Sequence, residues 1–171
     1  LSGANTYTGT TTISEGTISA NKIVVASSNS ALGNATSAVI LGGAATSGTL
    51  YSTQGTISYT RGFTINAGGG EVDSSTGTLT IATGGITANG PLTLGRTGTV
   101  TVSAIIADGA TAGSLVKIGT ATLTLSGANT FTGGLTIKAG SAKGTTSANA
   151  FGSVSGGGTN GTITLGNSSG T

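Results

Sequence analysis

Apolar and hydroxyl-bearing residues alternate almost one for one along most of this chain. The pattern is plainest in "TTTIS" (Thr10 to Ser14), "GTISYT" (Gly55 to Thr60), "GTLTIA" (Gly77 to Ala82), "PLTL" (Pro91 to Leu94), "GTVTVSAII" (Gly98 to Ile106), "ATLTL" (Ala121 to Leu125) and "GTITL" (Gly161 to Leu165). A period of two with one apolar face marks a half-buried strand, so Ile, Leu and Val are expected inside and Thr in water. Gly, Asn and Ser separate the runs, and these residues close turns because they tolerate positive φ or bond their own backbone. The pattern predicts an all-β chain of many short strands.

A longer rhythm lies over the strands. Leu1 to Gly9, "LSGANTYTG", returns as "LSGANTFTG" at Leu125 to Gly133, an offset of 124 residues. The register continues through Ile13 with Ile137 and Gly16 with Gly140. "SALG" (Ser30 to Gly33) then matches "NAFG" (Asn149 to Gly152) at an offset of 119, and "AVILG" (Ala38 to Gly42) matches "TITLG" (Thr162 to Gly166) at 124 again. A shift that cancels reads as loop length traded between neighbouring turns of a coil.

Short strands at even spacing fit either a closed antiparallel sandwich or a stacked solenoid. Antiparallel hairpins favour two-residue turns of fixed type, whereas these gaps are irregular and the phrase recurs in tandem. The solenoid is the better fit: a parallel β-helix of coils of roughly 20 to 25 residues would hold about seven or eight coils in this length. At about 4.8 Å per coil the rod would be roughly 35 Å long. The domain reading is one continuous solenoid over residues 1–171, a window of a longer array in which 1–47 is equivalent to 125–171 with period 124.

Composition agrees with stacking. Charged residues are 6% and aromatics 4%, and Gly fills 33 of 171 positions. In a coil each outward residue stands above its equivalent, so a charge risks a like-charge ladder while Thr and Asn can stack. Disorder is disfavoured, because 35% of residues are hydrophobic and mean hydropathy is +0.27.

Charge and residue type also exclude function classes. The net charge of +2 comes from six scattered cations, Lys22, Arg61, Arg96, Lys117, Lys138 and Lys143, with no cluster to neutralise phosphates, so no nucleic-acid partner is expected. Neither Cys nor His is present, which removes disulfides and the usual transition-metal ligands. No apolar run reaches the ~18 to 20 residues of a membrane helix, so insertion of this segment is not expected. The chain begins at Leu1 and contains no Met, and an internal piece of a longer chain is expected.

"KIGTATLTLSGANTFTGGLTIKAGS" (Lys117 to Ser141) and its shorter copy "LSGANTYTGTTTISEGT" (Leu1 to Thr17) resemble the autotransporter-associated β-strand repeat, or passenger-associated transport repeat, of bacterial type V secreted proteins. The resemblance covers about 40 residues directly. It implies a right-handed parallel β-helix, secreted to the cell surface or extracellular matrix, and a scaffold role rather than chemistry. In this reading the chain is a structural segment of a fibre, stalk or adhesin. Its partners are itself, through end-to-end stacking or a longer parent chain, and a host-surface or matrix polysaccharide. One departure is Thr10-Thr11 where the second copy has Gly134-Leu135, a position that needs a dry place for Leu135 but not for Thr11.

Only four carboxylates could carry chemistry: Glu15, Glu71, Asp73 and Asp108. Glu71 and Asp73 are two apart, hence on one face of a strand and about 6 to 7 Å apart at Cα. Such pairs serve glycoside hydrolysis, and a β-helix polysaccharide lyase or hydrolase using Glu71 and Asp73 is the alternative function. A solvated pair beside a Gly-rich turn is the plainer reading, because no sugar-gripping aromatic lies nearby. Calcium would want more oxygen ligands than Asp73 with Glu71, or Asp108 in "ADGATAG", provides. Neither "GGAATSG" (Gly42 to Gly48) nor "INAGGGEV" (Ile65 to Val72) has the Lys-Ser/Thr ending of a phosphate loop. Asn5 and Asn129 read as corner residues, Tyr7 and Phe131 as one aromatic shelf position, and Asp108 as a turn residue. Tyr51, Tyr59 and Phe63 could form a small exposed patch, and the sequons "NAT", "NGT" and "NSS" are at chance level. No enzyme activity, catalytic residue, cofactor or metal is therefore expected.

Overall fold

The chain climbs as a coil, laying down one short strand on each of three faces per turn. The structure, a computed structural model, describes residues 1–21, 28–154, 158–159 and 162–166. The first turn gives β1 (Thr12–Ile13) and β2 (Gly16–Ala20), and the second β3 (Val39–Leu41), β4 (Gly48–Ser52) and β5 (Ile57–Tyr59). The third gives β6 (Phe63–Ile65), β7 (Gly70–Ser74) and β8 (Thr78–Ile81), and the fourth β9 (Ile86–Ala88), β10 (Pro91–Leu94) and β11 (Thr99–Val102). The fifth gives β12 (Ile106–Asp108), β13 (Ser114–Lys117) and β14 (Thr122–Leu125). Above it lie β15 (Leu135–Ile137), β16 (Ser141–Gly144), the short pair β17 (Ser153–Val154) and β18 (Gly158–Thr159), and β19 (Ile163–Leu165).

Every strand on a face pairs in parallel with the strand one turn away. The first face runs β1-β3-β6-β9-β12, the second β2-β4-β7-β10-β13-β15-β19, and the third β5-β8-β11-β14-β16. Among the described residues the one antiparallel strand pair is β17 with β18. Parallel pairing of successive turns makes a β-solenoid, and the sandwich reading falls away.

The alternation seen in the sequence is what closes the coil. On the third face Leu79, Val100 and Leu123 stand in one column and Ile81, Val102 and Leu125 in the next, all at 0% exposure. On the second face Leu50, Val72 and Leu94 form a column at 0% exposure. These columns meet in the middle as one continuous apolar core. Each fully buried aliphatic side chain contributes about 1.5 to 3 kcal/mol, and dispersion between stacked neighbours adds to it.

Two expectations need correction. Among the described residues the first and third faces hold five strands each, so the coil makes about five turns rather than seven or eight, although the second face reaches seven strands. The shortfall comes from wide connections: Thr17 pairs with Thr49 and Thr136 with Thr164, spending 32 and 28 residues on one turn. "GTVTVSAII" is also two strands, because a corner at Ser103 to Ile105 carries the chain from the third face to the first.

The 124-residue offset advances the chain by five turns and one further face. Ile13 lies on the first face in β1, whereas Ile137 lies on the second in β15. Both copies nevertheless make the same local pairing, Thr12 with Ile40 and Thr136 with Thr164. The phrase is thus compatible with more than one corner of the coil.

Candidate functional site

The repeated phrase builds a small latch between turns. Asn129 Nδ2 donates to the Ala150 carbonyl at 2.6 Å, and its Oδ1 accepts from the Ile106 N–H at 2.8 Å, so the side chain ties three turns together. Asn5 repeats half of this, donating to the Ala31 carbonyl at 3.0 Å. The residue two positions on completes the latch: the Tyr7 carbonyl accepts from Asn34 N–H at 2.8 Å, and the Phe131 carbonyl from Ser153 N–H at 3.0 Å. A glycine must cross over each ring. Gly33 (φ +71°) and Gly152 (φ +86°) lie so close that a Cβ would stand 2.4 Å from the Tyr7 carbonyl oxygen and 2.6 Å from that of Phe131. "SALG" and "NAFG" are therefore the partners of the phrase, which explains why they recur with it.

The carboxylates hold parts of the coil together. Glu71 accepts both Arg96 bonds, from Nε and Nη2, each at 2.8 Å, forming a bidentate pair at the surface. That pair raises the Arg96 pKa, first through the hydrogen bond and then through the Glu71 charge. Asp73 is fully buried, and neither carboxylate oxygen has a hydrogen-bond partner of good geometry. Burial pushes its carboxyl above the usual range, with the neighbouring Ser74 backbone opposing and the Glu71 charge adding to the shift. The solvated-pair reading is thus corrected: one acid is clamped by arginine and the other is out of water. Glu71 and Asp73 do not present two accessible carboxyls to a common substrate.

Asp108 is a turn residue with wide reach. Its Oδ1 accepts from the N–H groups of Gly113 (2.7 Å) and Thr132 (3.0 Å), and Oδ2 from the Thr132 hydroxyl (2.6 Å). Burial pushes its carboxyl up, but these bonds outweigh it and the net shift is downward. Glu15 is exposed on the corner between β1 and β2.

Two buried cations escaped the sequence reading. Lys117 ends β13 at an inward position, level with Leu94, and is 0% exposed. Its Nζ donates to the carbonyls of Gly119 (2.7 Å), Gly95 (3.3 Å), Ala139 (3.4 Å) and Ile118, a clamp over three successive turns. Burial lowers its pKa, and the Asp73 charge partly offsets this. The alternation of "SLVK" places Lys117 on the same side as Leu115, so the signal was readable. Arg61, 2% exposed, donates from Nη1 to Leu32 O (2.8 Å) and from Nε to Ser37 O (2.9 Å). Lys22 lies outside the described residues, as do the asparagines of the sequons "NGT" and "NSS".

The expected aromatic patch does not form. Tyr59 and Phe63 are core residues packed edge to face at 5.6 Å, and Tyr51 is half-buried. Thr11, expected to need no dry place, is 8% exposed with its hydroxyl unpartnered. Among the described residues there is no ligand-sized cavity, no group of three or more potential metal ligands, and no helix long and apolar enough to cross a membrane.

No curated protein and no solved structure matches the chain. Residues 1–20 and 115–141 match the family model of the passenger-associated-transport-repeat, and these are the stretches that hold the two latches' Asn, aromatic and first strand. Two stretches of the chain are thus similar to this repeat, within a β-solenoid that fits a passenger segment.

Proposed function

We propose that the chain is a structural segment of a secreted bacterial surface protein, a stalk, fibre or adhesin that holds other parts of the molecule away from the cell. The observation that carries this is the coincidence of two passenger-associated transport repeats with a coil whose buried polar groups are used to tie turn to turn. A right-handed coil is the hand that connections between parallel strands favour. Among the described residues β1 and β2 at one end and β16 and β19 at the other pair with a strand on one side only, Leu1 bonding the outer edge of β2 at Ser19 O, and Ile163 is 44% and Leu165 76% exposed. Such edges recruit further strands, so this segment stacks with more coil of its own parent chain or with another copy. A host-surface or matrix polysaccharide remains the proposed target of the parent molecule.

Antibody raised against this segment, applied to intact cells of the source organism and imaged with gold label, tests the proposal. Label on unopened cells, removed by external protease, is the expected outcome. Label that appears only after the cells are permeabilised overturns it.

A further inference from the structure

The third face differs from the other two in chemistry. Its outward positions read Thr56 and Ser58, Thr78 and Thr80, Thr99 and Thr101, Thr122 and Thr124, then Ser141 and Lys143, row upon row. The register is in line: Thr78 lies against Thr99, Thr80 against Thr101, and Thr101 against Thr124. Two columns of hydroxyls result, repeating about 4.8 Å between turns and about 6.6 Å along the strand.

Stacking alone does not demand this. The second face obeys the same rule with Thr49, Glu71, Thr93 and Val116 in one outward column, and the first with Thr12, Ile40, Thr64, Thr87 and Ala107. Nor are the hydroxyls used within the fold: among the described residues Thr122 and Ser141 share one bond at 3.0 Å, while Thr78, Thr80, Thr99, Thr101 and Thr124 have none. Until Lys143 the face carries no charge and no aromatic side chain.

We propose that the third face binds the surface of ice. The partner that fits must be neutral, rich in both donors and acceptors, and periodic at the spacing of the coil. Ice meets each condition: its oxygen lattice repeats at nearly the strand spacing, and every surface molecule can donate and accept. Each Thr methyl orders the water beside it, while the neighbouring hydroxyl anchors that water in a fixed register. Charge complementarity favours the same partner, because a charged side chain would have to shed its hydration to meet a neutral crystal. A crystalline polysaccharide is less suited, since the face offers sugar rings no aromatic platform. The inference rests on this face alone, so it and surface display can fail separately.

The test freezes a solution of fluorescently labelled chain slowly, measures its partition into the ice, and records crystal shape and thermal hysteresis in the same solution. The unaltered chain is expected to enter the ice, facet the crystal and depress freezing below melting. Thr101→Lys and Thr101→Tyr, in the middle of the array, should lose most of the partition and hysteresis, while Thr64→Lys on the first face should keep both. Circular dichroism melting of each variant confirms folding, and Thr80→Tyr stands in for any that does not fold. Exclusion of the unaltered chain from growing ice, equal loss in Thr64→Lys, or preferential sedimentation with crystalline cellulose or chitin would overturn the proposal.

Discussion

The two copies of the nine-residue phrase make nearly the same local bonds and differ in what lies beneath them. Tyr7 is 44% exposed, and the equivalent Phe131 is 0% exposed. Asn5 is half-buried with one turn-to-turn bond, and Asn129 is fully buried with two. The second copy sits on the fifth turn, whose Ile106 N–H and Asp108 carboxylate reach up to it; the first has no turn beneath it among the described residues, and β1 and β2 are edge strands there. The latch to the turn above is thus intrinsic to the phrase, and burial is conferred by the turn below. A repeat of this kind reaches its full stability only inside a stack.

The strongest way to break this comparison is to remove the ring. Phe131→Ala should cost about 3 to 5 kcal/mol, the usual loss for a buried aromatic, whereas Tyr7→Ala should cost under about 1 kcal/mol. Urea unfolding of both variants measures the gap. Equal losses would mean that the lower turn contributes nothing.

Next in size are the asparagines. Asn129→Ala strands the buried Ile106 N–H and Ala150 carbonyl, each at about 1 to 3 kcal/mol, and Asn5→Ala loses a single partly solvated bond worth about 1 kcal/mol. Hydrogen exchange of the Ile106 amide gives a local readout. It should quicken in Asn129→Ala and stay unchanged in Asn5→Ala.

The sequence carried the strand positions well because inward and outward residues differ so sharply in type. Leu79, Val100 and Leu123 had to be inside, and they are. What it could not carry was the count of turns, because the connections from β2 to β3 and from β16 to β19 are longer than the others and their lengths follow no period in the sequence. Alternation does put Tyr59 on the side of Ile57 and Phe63 on the side of Ile65, so the exposed-patch reading overlooked a signal that was present. The carboxyl pair was misread for a different reason. Spacing put Glu71 and Asp73 on one face, but the Arg96 clamp and the burial of Asp73 come from neighbouring turns, more than 20 residues away for Arg96. The latch was visible only as repetition; its bonds to "SALG" and "NAFG" needed the coil.

One buried acid and one half-buried acid extend the comparison to pH. Asp73 has its folded pKa raised by burial, so it holds its proton more tightly folded than unfolded. Its ionisation therefore opposes folding above the folded pKa, and the penalty fades as pH falls toward the unfolded value of about 3.9. Asp108, shifted down, behaves oppositely: its stabilisation is present above about pH 3.9 and is lost as pH falls through its folded pKa. Asp73→Asn should raise the melting temperature at neutral pH and lose that advantage near pH 4. Asp108→Asn should lower it at neutral pH and match the parent in stronger acid. Melting curves of both variants across pH 3 to 7 check the opposed signs, with unfolded reference values of about 3.9 for each acid.

The smallest effect expected is at the Glu71–Arg96 pair, and it separates geometry from energy. Two bonds of 2.8 Å make a well-formed bidentate contact, yet the Arg96 side chain is 58% exposed and water competes for it. Exposed pairs of this kind are worth about 0.2 to 1 kcal/mol and weaken with salt. Glu71→Gln should therefore shift the unfolding midpoint only slightly, and less still in molar salt, where the charge it removes is already screened. The contrast with Lys117 decides whether burial is the governing variable. Lys117→Met keeps the length of the stem but leaves the carbonyls of Gly95, Gly119 and Ala139 without their donor in a closed corner, and the resulting loss should be larger and insensitive to salt. If Glu71→Gln cost as much as Lys117→Met, the surface pair rather than the buried clamp would be what fixes the register of these turns.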